Sequence, residues 1–263
     1  MKKKVLIIPI LLIIAASIYF IRTNTDFLTF NPPREKIKEN NFNKDESMTE
    51  EPSLINLRPQ TIAVNGEDRT LYLPSGYKIS VYTEGFTKSR SIDFDSKGTM
   101  YLTDKTPGEV YAIKPDGTKT LIDSGLRNIH GIDWFEEDLY VAEEHQVVVY
   151  RDIEEAGDYQ SKDVLIEGLP DDGGHNTRTI HISPDRKIYL AVGSRCNVCE
   201  EIDSKRAALL TYNLDGTNEQ VFAEGLRNTV GFTFKTDVEG SYEIWGVDNG
   251  RDRIGDDEPV EEV

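Results

Sequence analysis

Only two cysteines, Cys196 and Cys199, occur among the 263 residues, which excludes a disulfide-framework mini-domain and a four-cysteine zinc site. Positive charge is scarce as well: 30 Lys and Arg stand against 47 Asp and Glu, a formal net charge of -17. Phosphate backbones are bound by cationic surface, so nucleic acid is not an expected partner. From residue 56 onward no segment has a helical period, and collagen or coiled-coil patterning is absent. With 38% hydrophobic and 29% charged residues, the composition is that of a folded chain.

Lys2, Lys3 and Lys4 precede an apolar run over residues 5–21, closed by Arg22. Basic residues before such a run hold the N-terminus in the cytoplasm and send the rest of the chain outward. The run is at the short end of a spanning helix and the long end of a signal-peptide core. Ala15, Ala16 and Ser17 form the small-residue stretch that could host cleavage, but bulky Ile18, Tyr19 and Phe20 come next, so an uncleaved anchor over residues 1–21 is favoured. The expected location is membrane-anchored and extracytoplasmic, at a cell surface or in a periplasm, or secreted if the segment is cleaved. Residues 22–55 offer few apolar residues at either period and read as a solvated tether. Charge is nearly balanced up to residue 55, so the acidity belongs to residues 56–263.

That part repeats itself. SVYTEGF at 80–86, TLIDSGL at 120–126, VLIEGL at 164–169 and QVFAEGL at 220–226 are variants of one string. RSIDF at 90–94, HGIDW at 130–134, RTIHI at 178–182 and VGFTF at 230–234 form a second set, alternating as half-buried strands do. TMYLT at 99–103, DLYVA at 138–142, KIYLA at 187–191 and YEIWG at 242–246 form a third, and apolar pairs near Val110, Val147 and Leu209 a fourth. Asp116-Gly117 and Asp215-Gly216 supply tight turns. Four strands per repeat is the pattern of β-propeller blades, so the expected fold is all-β. The blades run about 90–126, 130–169 and 178–226, with a fourth represented by two strands up to Val263, and the string at 80–86 is expected to close the ring as the outer strand of a last blade. On this count about three and a half blades are present, and the chain is expected to be C-terminally truncated and unable to turn over substrate alone.

Propellers gather function in the loops before their innermost strands. Here those loops hold His130 and Gly131, then residues 171–178 with His175 and Arg178, then Arg227 and Asn228, then residues 248–252 with Asn249, Gly250 and Arg251. Histidine exchanges protons near neutrality, arginine holds anions, and glycine-flanked loops expose carbonyls to hard cations. The same residues also suit plain turns of a binding propeller. His181, on an alternating strand, reads as a packed or rim residue, and His145, after Glu143 and Glu144 in a hairpin, as solvated.

The stretches GSRCNVC at 193–199, GLRNTVGF at 225–232 and DNGRDRIGDD at 248–257 resemble the signatures of the glucose/sorbosone dehydrogenase family, especially its L-sorbosone dehydrogenase-like branch. LPSGYKI at 73–79 is similar to that family's opening strand. The resemblance, from about Leu71 onward, implies a six-bladed propeller carrying pyrroloquinoline quinone (PQQ) and Ca2+. His175 then matches the catalytic histidine, although it opens Asn176-Thr177-Arg178 where the glucose-oxidising branch has Gly-Gly-Arg. Arg227 and Asn228 match the pair that holds the quinone's acidic groups. His130 falls near a cofactor-contacting glutamine, Asn249 lies against the cofactor, and Arg178 is grouped with these contacts. Gly250 and Arg251 match the pair whose main-chain carbonyls hold calcium. The implied reaction is PQQ-dependent oxidation of an aldose or aldehyde sugar, with a respiratory electron acceptor as partner.

Two competing readings are a non-catalytic carbohydrate- or partner-binding propeller, and a calcium-dependent lactonase, which would hold calcium mainly by carboxylates and asparagines. Cys196 and Cys199 are not a haem attachment site, because Glu200 rather than histidine comes after them. A redox-active pair is one reading, without the usual βαβ setting. A structural disulfide is the default for an exported chain.

Overall fold

The computed structural model describes residues 57–153 and 157–252, and every described element is a strand. The expected anchor and tether, residues 1–55, lie outside the described residues. Among the described residues no helix is long and apolar enough to cross a membrane.

β1 (Leu57–Val64) and β2 (Glu67–Pro74) form a hairpin. Asn65 and Gly66 turn it with φ of 50° and 79°, the two positive values that a tight hairpin matching strand twist requires. The repeats do not foretell this hairpin, but its Asn-Gly pair marks it. Three four-stranded antiparallel sheets come next, each pairing its strands in chain order. The first holds β3 (Ser89–Phe94), β4 (Met100–Asp104), β5 (Glu109–Ile113) and β6 (Lys119–Asp123). The second holds β7 (Ile132–Phe135), β8 (Asp138–Ala142), β9 (Val147–Arg151) and β10 (Ser161–Ile166). The third holds β11 (Arg178–Ile182), β12 (Lys187–Val192), β13 (Ala208–Asn213) and β14 (Gln220–Glu224). β15 (Thr229–Thr236) and β16 (Tyr242–Asp248) pair as a two-stranded sheet. Each expected repeat is therefore one sheet, and the fold is all-β and propeller-like. The described sheets do not close on themselves.

The first strands β3, β7, β11 and β15 lie beside one another in succession. Side chains fasten each to the next: Asp93 accepts the Trp134 N–H at 2.6 Å, Asp133 accepts the Ile182 N–H at 2.9 Å, and Thr179 donates to the Val230 carbonyl at 3.0 Å. The aspartate in the repeated Ile-Asp string is thus an inter-sheet fastener, a role its alternation alone does not reveal. Between the first and second sheets Tyr101, Val110, Leu139, Val148 and Tyr150 are buried together, with Tyr101 stacked on Trp134 at 4.9 Å. Between the second and third, Tyr140, Val149, Ile180, Leu190 and Leu210 form the largest core. Burying such side chains stabilises each sheet pair by about 1.5–3 kcal/mol per residue. Gly216 is required twice over: its φ is 78°, and an added Cβ would stand 2.1 Å from the Leu165 carbonyl oxygen.

Two stretches depart from the expected strands, the first without its expected blade partners among the described residues. The string at 80–86 is not a strand, and Tyr82 is 56% exposed. An extended segment becomes a strand only when a neighbour completes its backbone hydrogen bonds, and none of the described strands pairs with it. The stretch at 73–79 ends as a strand at Pro74, where the Tyr77 N–H turns back onto the Pro74 carbonyl at 3.1 Å.

Candidate active site

The loops before β7, β11 and β15 meet the β4–β5, β8–β9 and β12–β13 connections at one end of the sheets. Lys105, after β4, donates to Asn176 Oδ1 at 2.7 Å. The Leu169 N–H reaches the His145 carbonyl, Gly174 N–H the Arg195 carbonyl, Ser194 N–H the Arg227 carbonyl, and Asn249 N–H the Asn228 carbonyl. Backbone hydrogen bonds thereby sew together loops distant in sequence, leaving a continuous loop surface on a strand scaffold.

His175 sits half-buried in the loop before β11. Its Nδ1 is 2.9 Å from the Ser194 carbonyl and 2.8 Å from Ser194 Oγ. That hydroxyl donates to the Cys196 carbonyl at 2.9 Å, so toward the ring it accepts. Both partners of Nδ1 are acceptors, which assigns the proton to Nδ1 and leaves a basic lone pair on Nε2. Gly193 makes room for this arrangement, because an added Cβ would stand 2.6 Å from His175 Cβ and 2.7 Å from Asn228 Oδ1. His175 and Asn228 are therefore brought together across a residue that must lack a side chain.

His130 is buried at 7% exposure, with Nδ1 3.3 Å from the Arg178 carbonyl. Burial first, then the charges of Arg90, Lys105 and Arg178, push its pKa down to about 4. It is neutral at pH 7. Burial, followed by Arg90 and Lys88, also pulls the Lys105 ammonium below its ordinary range. Around His130 and Lys105, then, cationic groups (Arg90, Lys88 and Arg178) add to the effect of burial.

The two arginines expected to contact the cofactor also bond within the protein. Arg178 is fully buried, and its guanidinium donates to the carbonyls of Pro170, His175 and Thr177. No atom of it is exposed to a ligand, and it shapes the His175 loop from below. Arg227 joins two loops: Nε and Nη2 reach Asn197, Nη1 donates to the Asn249 carbonyl at 2.9 Å, and Nη2 pairs with Asp252 at 2.9 Å. In this structure the Arg227 donors are paired with acceptors of neighbouring loops. Asn228 is buried and Asn249 exposed. Beyond them, Arg251 Nε is buried without a hydrogen-bond partner among the described residues, as are Arg178 Nε and Arg206 Nη1. Among the described residues no group of three or more His, Cys, Asp or Glu could hold a metal ion.

Cys196 and Cys199 are disulfide-bonded. His181 is packed: Nδ1 lies 2.7 Å from Asp133 and the ring stands edge-on to Phe232. His145 Nδ1 is not solvated but buried without a partner among the described residues, and Glu143 and Glu144 beside it are buried. Their carboxylates accept the Arg127 N–H and the Asn128 amide. Sequence reasoning missed Ser194, Lys105 and Asn176. Ser194 stands inside the GSRC stretch at 193–196, whereas Lys105 looks like an ordinary hairpin residue and offers no signal.

Comparison with known proteins adds ancestry to this geometry. The TrAA12-like family model matches residues 71–262. An uncharacterized protein of Borreliella burgdorferi is 29% identical over 215 residues, covering 77% of this chain and 55% of that protein. Among solved structures, the holo pyranose dehydrogenase PQQ domain from Coprinopsis cinerea is 22% identical at a TM-score of 0.58, covering 78% of this chain and 52% of that one. A Trichoderma reesei structure of carbohydrate-active enzyme family AA12 is 19% identical at 0.58, covering 78% and 53%. The chain spans about half the length of these relatives. The structural likenesses establish the fold, and the matching model describes TrAA12-like proteins rather than the sorbosone branch in particular. The chain belongs to the TrAA12-like family.

Proposed function

We propose that this chain carries part of a PQQ-dependent dehydrogenase that oxidises an aldose or aldehyde sugar, in the manner of sorbosone, glucose and pyranose dehydrogenases. The observation that carries this reading is the state of His175, whose Nδ1 is committed to two acceptors on Ser194. Nε2 is left to accept the proton of a substrate hydroxyl, the task of a general base. PQQ, when bound, supplies the electrophilic acceptor for the substrate hydride.

The residues present fit that group. PQQ carries planar carboxylates, and the cationic surround of His130 and Lys105 favours an anion. The Nε of Arg251, buried and without an acceptor among the described residues, is a donor that a quinone or carboxylate oxygen would satisfy. Asn228 and Asn249 offer amides beside it, and His130, neutral at pH 7, offers a polar edge without added charge. The main-chain carbonyls of Gly250 and Arg251 are the proposed calcium ligands, a donor set suited to a hard cation. Arg227 and Arg178 brace these loops. The Cys196–Cys199 bridge supports an extracytoplasmic location, since such bridges persist in oxidising compartments. The apolar run of residues 5–21 would hold the chain at the membrane, near a respiratory electron acceptor.

The test is an absorbance titration of the purified chain with PQQ and Ca2+. A saturable change in the quinone spectrum is expected, and its absence overturns the reading. In a protein that turns over sugar with a dye acceptor, His175→Ala should retain this change and lower turnover at least about 100-fold. Equal turnover removes His175 from the base role.

A further inference from the structure

We propose that Ser194 is the positioning residue of His175, and that the Cys196–Cys199 bridge acts on His175 through the Ser194 hydroxyl. The inference deepens the base role proposed above and rests on that reading for its functional meaning. Ser194 is 6% exposed and touches the imidazole with two atoms, its carbonyl at 2.9 Å and its Oγ at 2.8 Å. The backbone of Ser194 is itself held, because its N–H donates to the Arg227 carbonyl at 2.8 Å. A hydroxyl is free to rotate, and in one orientation it would donate to Nδ1 and select the opposite tautomer. Here its hydrogen is drawn to the Cys196 carbonyl at 2.9 Å. The Ser194 carbonyl, which can only accept, already favours a proton on Nδ1, and the Cys196 carbonyl reinforces that choice by turning the hydroxyl's lone pair toward the ring.

Cys196 opens the loop that the disulfide closes to Cys199. The same loop is braced from outside, since Asn197 accepts from Arg227 at 2.6 Å and from the Asp252 N–H at 3.0 Å. A closed loop of so few residues, tied at its centre, keeps the Cys196 carbonyl aimed at Ser194. Opening the bridge frees that carbonyl to turn, and the hydroxyl loses the partner that fixes its direction. The bridge thus does more than staple a surface loop: it makes the protonation pattern of His175 sensitive to thiol reduction.

The tautomer is read directly from the ring-nitrogen shifts of the 15N-labelled 263-residue chain, with His175→Gln used to assign the signal. His175 is expected to be the Nδ1–H form. Ser194→Ala should raise the Nε2–H population roughly fivefold, the equivalent of about 1 kcal/mol for one hydrogen bond, and Ser194→Thr, which keeps a hydroxyl, should restore it. Reducing the bridge with a phosphine should shift the unaltered chain in the same direction and leave Ser194→Ala where it is. An Nε2–H tautomer in the unaltered chain, an unmoved tautomer in a folded Ser194→Ala, or an equal response of both proteins to reduction overturns the proposal. Should Ser194→Ala not fold, the reduction arm decides alone: no shift on opening the bridge overturns it. Failure here is separable from failure of the dehydrogenase reading. A chain with the Nδ1–H tautomer and no saturable quinone signal sinks the function and leaves Ser194 in its role, whereas quinone binding with an unmoved tautomer does the reverse.

Discussion

Asp133 Oδ1 and His181 Nδ1 lie 2.7 Å apart across the seam between the second and third sheets, while Asp133 Oδ2 accepts the Ile182 N–H at 2.9 Å. One buried carboxylate therefore serves two donors on β11. Burial raises the Asp133 carboxyl above its ordinary range, against the pull of His181. Asp93 holds the equivalent place one sheet earlier and caps the Trp134 N–H. Asp133→Ala should cost about 2 kcal/mol, because two donors lose their acceptor in a buried seam. Asp93→Ala, at a more exposed seam, should cost less, about 1 kcal/mol. Urea denaturation checks this, and equal losses would remove the special role of the Asp133–His181 pair.

His130 makes stability depend on pH. Its folded-state pKa is depressed from 6.5 to about 4, chiefly by burial. The unfolded chain therefore binds the extra proton first, and the stabilisation present above pH 6.5 is lost as pH falls toward 4. The loss is about 3 kcal/mol between pH 7 and pH 4. His130→Gln removes this titration, so its stability should fall about 3 kcal/mol less over that interval. Parallel curves for both proteins would refute the assignment.

Gly193→Ala tests the close approach of His175 and Asn228 to Gly193. A Cβ at 2.6 Å from His175 Cβ and 2.7 Å from Asn228 Oδ1 must push one of them aside. Destabilisation of about 2 kcal/mol is expected from the overpacking, together with movement of the His175 ring signals. Gly231→Ala is the control, since nothing lies within 4 Å of its added Cβ. If the two substitutions behave alike, the crowding at Gly193 is not what holds the pair.

Reduction of the Cys196–Cys199 bridge should lower the melting temperature only modestly. A four-residue loop gains about 2 kcal/mol or less from closure. Amide exchange should instead accelerate between residues 193 and 200, and thiol labelling of freshly isolated, non-reduced protein should find no free cysteine. Two labelled thiols in that material would contradict both the bridge and the oxidising location.

Much of this protein is written locally in its chain. The repeated strings around Tyr101, Tyr140 and Tyr189 became β4, β8 and β12, short apolar runs that are buried along nearly their whole length. The loop residues His130, His175, Arg227 and Asn249 were found for the same local reason, as polar residues placed just before or after strands. The cysteine pair, three residues apart, needed no distant information either.

Tertiary structure decided everything that depends on partners far along the chain. SVYTEGF at 80–86 has the same pattern as its sister strings, yet none of the described strands pairs with it, and hydrogen bonding between strands cannot be read from one strand. Arg178 and Arg227 carry identical charges to any ligand-binding arginine, but the loops that surround them supply carbonyl and carboxylate acceptors. Glu143 and Glu144 look like solvated hairpin residues until the loop at Arg127 and Asn128 covers them. The basic nitrogen of His175 is set by Ser194, 19 residues away. Local pattern fixes which way a side chain faces along its own strand, and only the packing of separate sheets decides what it meets there.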